Sequence, residues 1–539
     1  MRQQQDNSGP DAKVSRDNWI AYGALLFSTF VMIEAMTFQA PALPTIVRHF
    51  GVPMNAAGLI ILIFFIGSTT FAPIMGRIAD SHGRKKILMA GLVIFSISEF
   101  VAAFSPTFTV LLIARFAQGF GVACIIPVVM AYIGYLFSES KRGLALGIFT
   151  GAMSFGAATG ALAGGLLVDS FGWPIIYWLS GVLGVMGLGM VTFLVPDIPS
   201  ERKQKGYDLA GTALLLLTVA GLLSVPTSAS RLGLLSPWTI TALIVGICAA
   251  ALLWQIERRA KDPIIDMNIL CNRHFILPGG IYLLNVMCLA GLTYSLAFFI
   301  NGRPGGNASQ VGFINMCLYG CSMLAAPLAG RLADRIEPRT IIAGSIIIVL
   351  LGMLAMSNIG LSTPLWAISG IVIVIGLANG TNTPPLLKLI VGAVPRERLA
   401  QGTGLFSMLK DFGAPAGATF GLAVFGGAVM MLTQKAVTST VQKAGAGPEL
   451  LSVVAGMARS SAIPENATAI AQLEALGIDI ADTLATSQLI GMGTALPWVT
   501  YILAFILCLI FLMTLRLPRC HAGKATSNLD SRTAVVKTT

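Results

Sequence analysis

The sequence predicts an all-α polytopic membrane protein with about fourteen transmembrane helices. Of its 539 residues, 55% are hydrophobic and only 11% are charged, whereas soluble domains carry roughly 25% charged residues. Apolar runs of about 20 residues, the length needed to cross the hydrocarbon core of a bilayer, recur along almost the whole chain. A short charged sequence also occurs twice, between equivalent pairs of these runs. We therefore expect a bilayer, and not water, as the solvent of this chain.

The apolar runs fall into groups of six, two and six, separated by the charged linkers Ser200–Asp208 and Glu257–His274. The predicted helices lie near residues 20–43, 55–76, 87–105, 108–132, 143–168, 173–195, 209–227, 237–255, 275–300, 309–329, 340–357, 363–386, 402–431 and 493–515. Two six-helix bundles with two inserted helices are therefore expected. The domains would be a tail at 1–18, a bundle at 19–199, a linker with the inserted helices at 200–274, a bundle at 275–515 with an outer loop at about 432–490, and a tail at 516–539.

Lysine and arginine set the expected orientation, because loops on the cytoplasmic side of a membrane carry an excess of both. Most of them lie in loops on the side that also holds the two termini. The opposite loops hold only Arg48, Arg231, Arg303, Lys435, Lys443 and Arg459. We therefore expect a multi-pass protein of the cell membrane with both termini cytoplasmic. The short loops favour a bacterial inner membrane, and the long first apolar run favours a retained helix over a cleaved signal peptide.

Other classes of protein are disfavoured by the same sequence. The net charge of +11 is spread over short loops and does not mark one basic face, so nucleic-acid binding is not expected. The eight cysteines form no CxxC pair and no Cys/His cluster, so we expect no metal and no other cofactor. We also do not expect an enzyme, because no HExxH, GxSxG or P-loop pattern is present. A receptor built on the same fold stays open.

The repeated charged sequence lies between the second and third helices of each six-helix half. Gly76–Lys85 reads GRIADSHGRK, and Gly330–Arg339 reads GRLADRIEPR. A duplicated bundle with a substrate path between its halves is a transporter architecture. The first stretch resembles the signature cytoplasmic loop of the major facilitator superfamily. Together with its echo and the count of six, two and six helices, nearly the whole chain resembles the fourteen-helix drug:proton antiporter branch of that superfamily.

This resemblance implies the major facilitator fold and a cytoplasmic gate built from the repeated loop. In the resembled family the aspartate of the loop, here Asp80, docks on the N-terminus of a helix in the other half. The helix predicted near 402–431 offers such an end, which carries roughly half a positive charge. A tight charged turn without a latch is the alternative. The gate residues implied by the motif are Gly76, Asp80, Gly83, Arg84, Gly330 and Asp334.

Three charged residues at membrane depth are candidates for proton coupling. Arg115 lies in a run that resembles the family's fourth-helix motif, whose arginine is linked to proton coupling. Glu34 and Glu99 lie at nearly the same height, roughly 18–21 Å above the cytoplasmic boundary at 1.5 Å per residue. A charge within a membrane helix is functional by default, although a structural ion pair stays open. No histidine lies in a membrane run, so carboxylates are the expected proton carriers.

The predicted fifth helix carries Gly156, Gly160, Gly164 and Gly165. Small residues at this spacing let two helices pack closely. The run resembles the antiporter motif of exporter branches, with one departure: Ala161 stands where that motif usually has proline. The first helix departs as well, because the branch commonly carries an aspartate early in this helix and the acidic residue here is Glu34.

Asp411 is a further candidate coupling carboxylate. The segment that contains it resembles the start of the branch's penultimate helix, where Lys410 stands at a usually basic position. Adjacent residues point about 100° apart on a helix. We therefore expect Lys410 and Asp411 to pair with neighbours and not with each other.

Together these features predict a proton-coupled antiporter that exports amphipathic or cationic small molecules, as in multidrug efflux, by alternating access. A proton-coupled importer of a nutrient or metal chelate is the alternative, because the proline is missing and the first helix is altered. The expected partners are a small-molecule substrate, protons and the lipid bilayer. We expect a monomer, and accessory envelope proteins stay open.

Overall fold

The structure is a computed structural model in which every regular element is a helix, within the residues that it describes. These residues are 15–137, 139–197, 209–233, 235–259, 267–333, 336–394, 399–444, 447, 450–454, 456, 473 and 478–517. The helices are α1 (Arg16–Thr37), α2 (Gln39–His49), α3 (Ala57–His82), α4 (Arg84–Ala103), α5 (Phe108–Leu136), α6 (Glu139–Phe171), α7 (Pro174–Leu194), α8 (Leu209–Leu232), α9 (Pro237–Arg259), α10 (Met267–Leu270), α11 (Arg273–Gly302), α12 (Ala308–Ala333), α13 (Pro338–Met356), α14 (Leu365–Gly392), α15 (Leu399–Lys443) and α16 (Ile480–Thr514).

The prediction of an all-α polytopic membrane protein is confirmed. In the described ranges, 13 helices are long and apolar enough to cross a membrane. The 26-residue helix α3 adds the shorter apolar stretch Ala57–Ala72. Each of the predicted membrane helices corresponds to one of these, with ends that differ by a few residues in most cases.

The first predicted helix, near 20–43, is two consecutive helices. α1 begins behind Ser15, whose side chain accepts a hydrogen bond from the Asn18 amide at 3.2 Å. It ends at Thr37, and Phe38 joins it to α2. Pro41 lies in the first turn of α2, where a missing N–H group costs little. The proline thus favours a new helix start over an unbroken helix.

The chain forms two compact units, each with a core of its own. The first contains Met1–Phe50, Leu59–Val225 and Ile240–Ile264, and the second contains the remaining segments. In the first unit α1 packs against α6 and α7, and α4 packs against α5 and α7. In the second unit α11 packs against α15 and α16, and α13 packs against α14 and α16. Counted from the start of each unit, the same helices are neighbours, so the internal repeat extends to the packing.

A row of glycines on α15 allows this helix to touch the backbone of α11. A Cβ atom at Gly413 would lie 2.7 Å from the Leu283 carbonyl oxygen, and one at Gly417 would overlap the carbonyl of Met287. At Gly421 the Cβ would lie 2.5 Å from the Gly291 carbonyl oxygen. Such close approach is how small residues increase van der Waals contact between membrane helices.

Two helices extend well beyond the thickness of a bilayer. α15 has 45 residues, or about 68 Å at 1.5 Å per residue, against a hydrocarbon core of about 30 Å. α16 begins at Ile480, inside the outer loop predicted over 432–490. The two extensions pack together, and Thr433 Oγ1 donates to the Ser487 carbonyl at 3.5 Å. Beyond this point a small apolar core contains Val437, Val441, Leu450, Val454, Leu473 and Ile478. The described part of the outer loop is therefore an ordered helical extension.

The contact between α11 and α15 can be tested with Gly417→Ala and the matched control Gly427→Ala. Alanine at Gly417 would overlap the Met287 carbonyl, whereas a Cβ at Gly427 meets nothing within 4 Å. Overpacking typically costs about 1–3 kcal/mol, and we expect Gly417→Ala to lower the melting temperature of the purified protein by about 5 °C. The control should equal or exceed the wild type, because alanine favours helices over glycine. Equal melting temperatures for both variants would contradict the close contact.

Candidate functional site

Arg115 is buried in the middle of α5 and is held by three different groups. Its side chain is 2% exposed. Nη1 donates to Gln118 Oε1 at 2.6 Å, and Nε donates to the Ile60 carbonyl at 3.3 Å. The guanidinium carbon lies 4.3 Å from the centroid of the Phe64 ring, a cation–π geometry. The protein thus supplies to this cation the contacts that water would otherwise supply.

Glu99 on α4 is the carboxylate that the structure brings close to Arg115. It is 1% exposed and interacts electrostatically with the guanidinium. Within the described residues, its Oε2 atom has no hydrogen-bond partner. The two side chains therefore interact without a described hydrogen bond between them, which leaves a carboxylate oxygen available to a proton or a water molecule.

Glu34 lies elsewhere, where α1 and α6 meet. Its side chain is half-buried and, among the described residues, has no hydrogen-bond or ion-pair partner. A Cβ at Gly160 would lie 3.0 Å from Glu34 Cγ. One turn away, the rings of Phe30 and Phe155 stack with centroids 6.1 Å apart. Among the described residues, no contact joins Glu34 to Arg115 or Glu99, so a shared cluster of the three stays a prediction.

The glycines of α6 line its contact with α1. A Cβ at Gly156 would lie 3.1 Å from the Phe30 ring, and one at Gly164 would lie 2.9 Å from the Cα of Phe38. Gly165 is buried on the same helix. Ala161 is fully buried, and α6 continues past it as one helix. The glycine motif therefore positions Glu34, because it allows α1 to lie directly against α6.

The predicted gate loop is described only in part. Gly83 has a φ of 105°, a conformation that glycine adopts without strain, and it separates α3 from α4. Gly76 packs near Pro127: a Cβ added at Gly76 would lie 3.3 Å from the Cβ of this proline. Arg84 is the first residue of α4, whereas Gly330 faces open space on α12. The side chain of Asp80 and the whole of Asp334 lie outside the described residues, so the docking of Asp80 stays a prediction.

The expectation that Lys410 and Asp411 avoid each other was wrong. Lys410 Nζ lies 3.5 Å from Asp411 Oδ1 on α15. The four-carbon stem of lysine is flexible enough to span the angle between adjacent positions. Tyr282, on α11, interacts electrostatically with both, and its ring lies 4.7 Å from that of Phe406. Asp411 is therefore part of a locally neutral ion pair.

Sequence reasoning missed two features of these sites. Tyr177 on α7 exchanges hydrogen bonds with Gln39 at 3.3 Å and interacts electrostatically with Arg115 and Glu99. No local pattern marks this tyrosine, because it lies in an ordinary apolar run. The glycines Gly413, Gly417 and Gly421 were detectable, since they repeat the four-residue spacing of Gly156, Gly160 and Gly164.

A duplicated helical bundle with charged groups buried at membrane depth defines a transporter-type membrane protein. The family model described as Major Facilitator Superfamily matches residues 25–418 and 279–528. The chain belongs to this superfamily, whose members are membrane transporters and not enzymes.

Bacterial relatives match over most of the chain. The multidrug resistance protein Stp of Mycobacterium tuberculosis is 26% identical, covering 83% of this chain and 81% of its own length. The multidrug transporter protein MdtP of Bacillus subtilis is 26% identical over 79% of both chains. The methyl viologen resistance protein SmvA of Salmonella typhimurium is 28% identical over 74% of this chain and 79% of its own.

Solved structures share the fold at low sequence identity. A bacterial homolog to the human lysosomal transporter Spinster, in an inward-facing and unoccupied conformation, has a TM-score of 0.64 at 14% identity. The alignment covers 93% of this chain and 98% of that one. A POT family transporter in complex with 5-aminolevulinic acid has a TM-score of 0.60, also at 14% identity, over 92% of this chain and 96% of its own.

The Lys410–Asp411 pair can be tested with a double-mutant cycle. Lys410→Met alone removes the cation that lies 3.5 Å from Asp411, so we expect a lower melting temperature. Lys410→Met combined with Asp411→Asn should recover most of the loss. Because the pair is partly exposed, the expected coupling is about 1 kcal/mol. Additive losses in the double variant would show that the two side chains act independently.

Proposed function

We propose that this protein is a proton-coupled antiporter that exports amphipathic or cationic small molecules by alternating access, as in the drug:proton antiporter branch. The observation that carries the proposal is the fully buried pair of Glu99 and Arg115, in which one carboxylate oxygen has no described partner. The sequence-based gate, with Asp80 docked on a helix end, and a bacterial inner-membrane location with cytoplasmic termini belong to the same proposal.

The energetics favour a proton as the ligand of Glu99. A charged side chain at the centre of a bilayer costs about 2.5–3.5 kcal/mol even on the most permissive scale. A carboxylate can escape this cost by binding a proton, whereas an arginine cannot lose its charge. When Glu99 is neutral, Arg115 keeps its bonds to Gln118 and Ile60. Both protonation states of Glu99 therefore leave the arginine with partners.

Glu34 has the environment of a group that meets cargo. It is half-buried without a described partner, and Phe155 beside it is 53% exposed. A carboxylate next to accessible aromatic faces suits a lipophilic cation, which gains both an ionic contact and cation–π contacts. The names of relatives, which include resistance to methyl viologen and to puromycin, support export of such compounds.

An importer remains the second candidate, because α6 lacks the proline expected at Ala161 and continues as one helix. The importer would use the same buried pair to bind a proton together with its substrate and not in exchange for it. The direction of substrate movement relative to the proton distinguishes the two functions.

Proton exchange can be measured in inverted vesicles with an imposed pH gradient and a pH-sensitive dye. Tetraphenylphosphonium, ethidium and methyl viologen serve as probes. We expect at least one of them to collapse the gradient with the wild type. Glu34→Gln, Glu99→Gln and Arg115→Ala should slow this by about tenfold or more, a loss of about 1.4 kcal/mol in transition-state stabilisation.

Asp17→Asn is the matched control, because Asp17 lies exposed at the start of α1, the helix that carries Glu34. It should behave as the wild type. If no compound in a broad panel moves protons, and whole-cell uptake of a nutrient depends on the protein, the importer replaces the antiporter.

The aromatic pair beside Glu34 predicts a selective effect of Phe155→Ala. Cation–π contacts contribute about 0.5–2 kcal/mol, so the concentration of ethidium that gives half-maximal efflux should rise about 2–30-fold. Phe171→Ala, at another exposed phenylalanine of α6, is the control and should leave this concentration unchanged. Equal responses of the two variants would remove Phe155 from the cargo site.

A further inference from the structure

Tyr177, in the first unit, has a buried hydroxyl group whose described hydrogen bonds are both with Gln39. The side chain is 1% exposed. Gln39 Nε2 donates to the hydroxyl at 3.3 Å, and the hydroxyl faces Gln39 Oε1 at the same distance. Hydrogen bonds of these types are usually 2.7–3.0 Å long. The contact with Gln39 is therefore weak and can be exchanged for a better acceptor.

The better acceptor comes from α4, which packs against α7. One turn along α7 from the tyrosine, a Cβ added at Gly181 would lie 3.0 Å from the ring of Phe100, the residue after Glu99. Glu99 and Arg115 both interact electrostatically with the Tyr177 hydroxyl.

The Oε2 atom of Glu99 is buried and has no hydrogen bond within the described residues. A tyrosine hydroxyl has a single proton to donate, so it can serve Gln39 or Glu99 at one time, and not both. An ionised carboxylate accepts a stronger hydrogen bond than an amide oxygen does.

Aromatic side chains cover this polar group on the side of the α2 and α7 ends. The ring of Trp173 contacts that of Tyr177 at a centroid distance of 6.0 Å. His49 and Phe50 pack on Trp173 at 5.4 and 5.5 Å. His49 is exposed, whereas Trp173 is buried. Tyr177 is thus buried beneath aromatic rings and shielded from bulk water.

We propose that Tyr177 is a positioning residue whose hydroxyl turns from Gln39 to Glu99 when Glu99 ionises, and returns when Glu99 binds a proton. The step moves one hydrogen bond and no covalent bond, so the proton that Glu99 exchanges comes from water and not from the tyrosine. The inference rests on the proposed function, because it assumes that Glu99 exchanges protons. It adds that Tyr177 and Gln39 set the pH at which the exchange occurs.

Two charged groups act on Tyr177 from the helices around it. α7 packs against α1, α4 and α6. Glu99 comes from α4, and Arg115 comes from α5. Glu34 on α1 and Asp169 on α6 are not among the groups that interact with Tyr177 in the described part of the chain. The carboxylate that responds to the hydroxyl is therefore Glu99.

The test uses the full-length protein in proteoliposomes and measures ethidium-driven proton flux from pH 5 to pH 9. Tyr177→Phe removes the donor from the ionised carboxylate, so the midpoint of the pH profile should move about one unit towards alkaline pH, a tenfold change in proton affinity. Gln39→Met frees the hydroxyl for Glu99, so the midpoint should move towards acidic pH. Damage to packing does not produce opposite shifts.

Tyr132→Phe is the matched control, because Tyr132 is a buried tyrosine of the same unit whose hydroxyl donates to the Pro196 carbonyl at 2.9 Å. Its midpoint should equal that of the wild type. If wild-type vesicles exchange protons and the Tyr177→Phe and Gln39→Met profiles coincide with the wild type, or shift in the same direction, the inference is overturned. If wild-type vesicles exchange no protons for any probe, the proposed function itself fails. Size-exclusion profiles confirm that each variant is folded.

Discussion

The cost of keeping an arginine inside a membrane constrains the whole first unit. Arg115 cannot lose its charge, so it requires partners at the depth where it lies. The fold supplies an amide from its own helix, a carbonyl and an aromatic ring from α3, and a carboxylate from α4. Three helices must therefore keep their relative positions for the cation to be tolerated. Any change in the charge of Glu99 therefore acts on the contacts of all three helices.

Close helix contacts through glycine fix the position of the second carboxylate. α6 touches α1 where Glu34 lies, and α15 touches α11 in the same manner. At these contacts the backbone of one helix lies directly against the backbone or side chains of its neighbour. Sliding or rotating one helix against the other therefore changes many van der Waals distances at once. Such an interface favours rigid movement of the helix pair over local rearrangement. Glu34 therefore moves with α1 and α6 together.

Most of the fold was predictable from the sequence, because the length and spacing of apolar runs follow directly from the thickness of the bilayer. The break at Phe38 was encoded in Pro41, and the α15 glycines repeat a spacing already present in α6. The extension of α15 to Lys443 was not predicted, since its outer part is polar and its apolar core combines residues distant in sequence.

The site was predictable only in its composition. Arg115, Glu34 and Glu99 stood out because charge is rare in apolar runs, and equal height along the helices suggested one cluster. Height along a helix does not specify which way a side chain faces. The sequence therefore could not show which of the two carboxylates, Glu34 or Glu99, interacts with Arg115. Lys410 and Asp411 show the same limit, because the flexibility of a lysine stem outweighs the angle between backbone positions. Tyr177 acts through a single hydroxyl, and the spacing of apolar residues does not distinguish a tyrosine with such a role from its apolar neighbours.

The two units are alike in packing and unlike in charge. The central glycine of one contact, Gly160, meets Glu34, whereas its counterpart Gly417 meets Met287. In the second unit the ionic groups described at this depth, Lys410 and Asp411, form a pair with no net charge. A transmembrane voltage acts on net charge, at about 2.3 kcal/mol per elementary charge for each 100 mV that the charge crosses. Such a voltage therefore exerts a net force on an ionised Glu34, and none on a neutral Lys410–Asp411 pair.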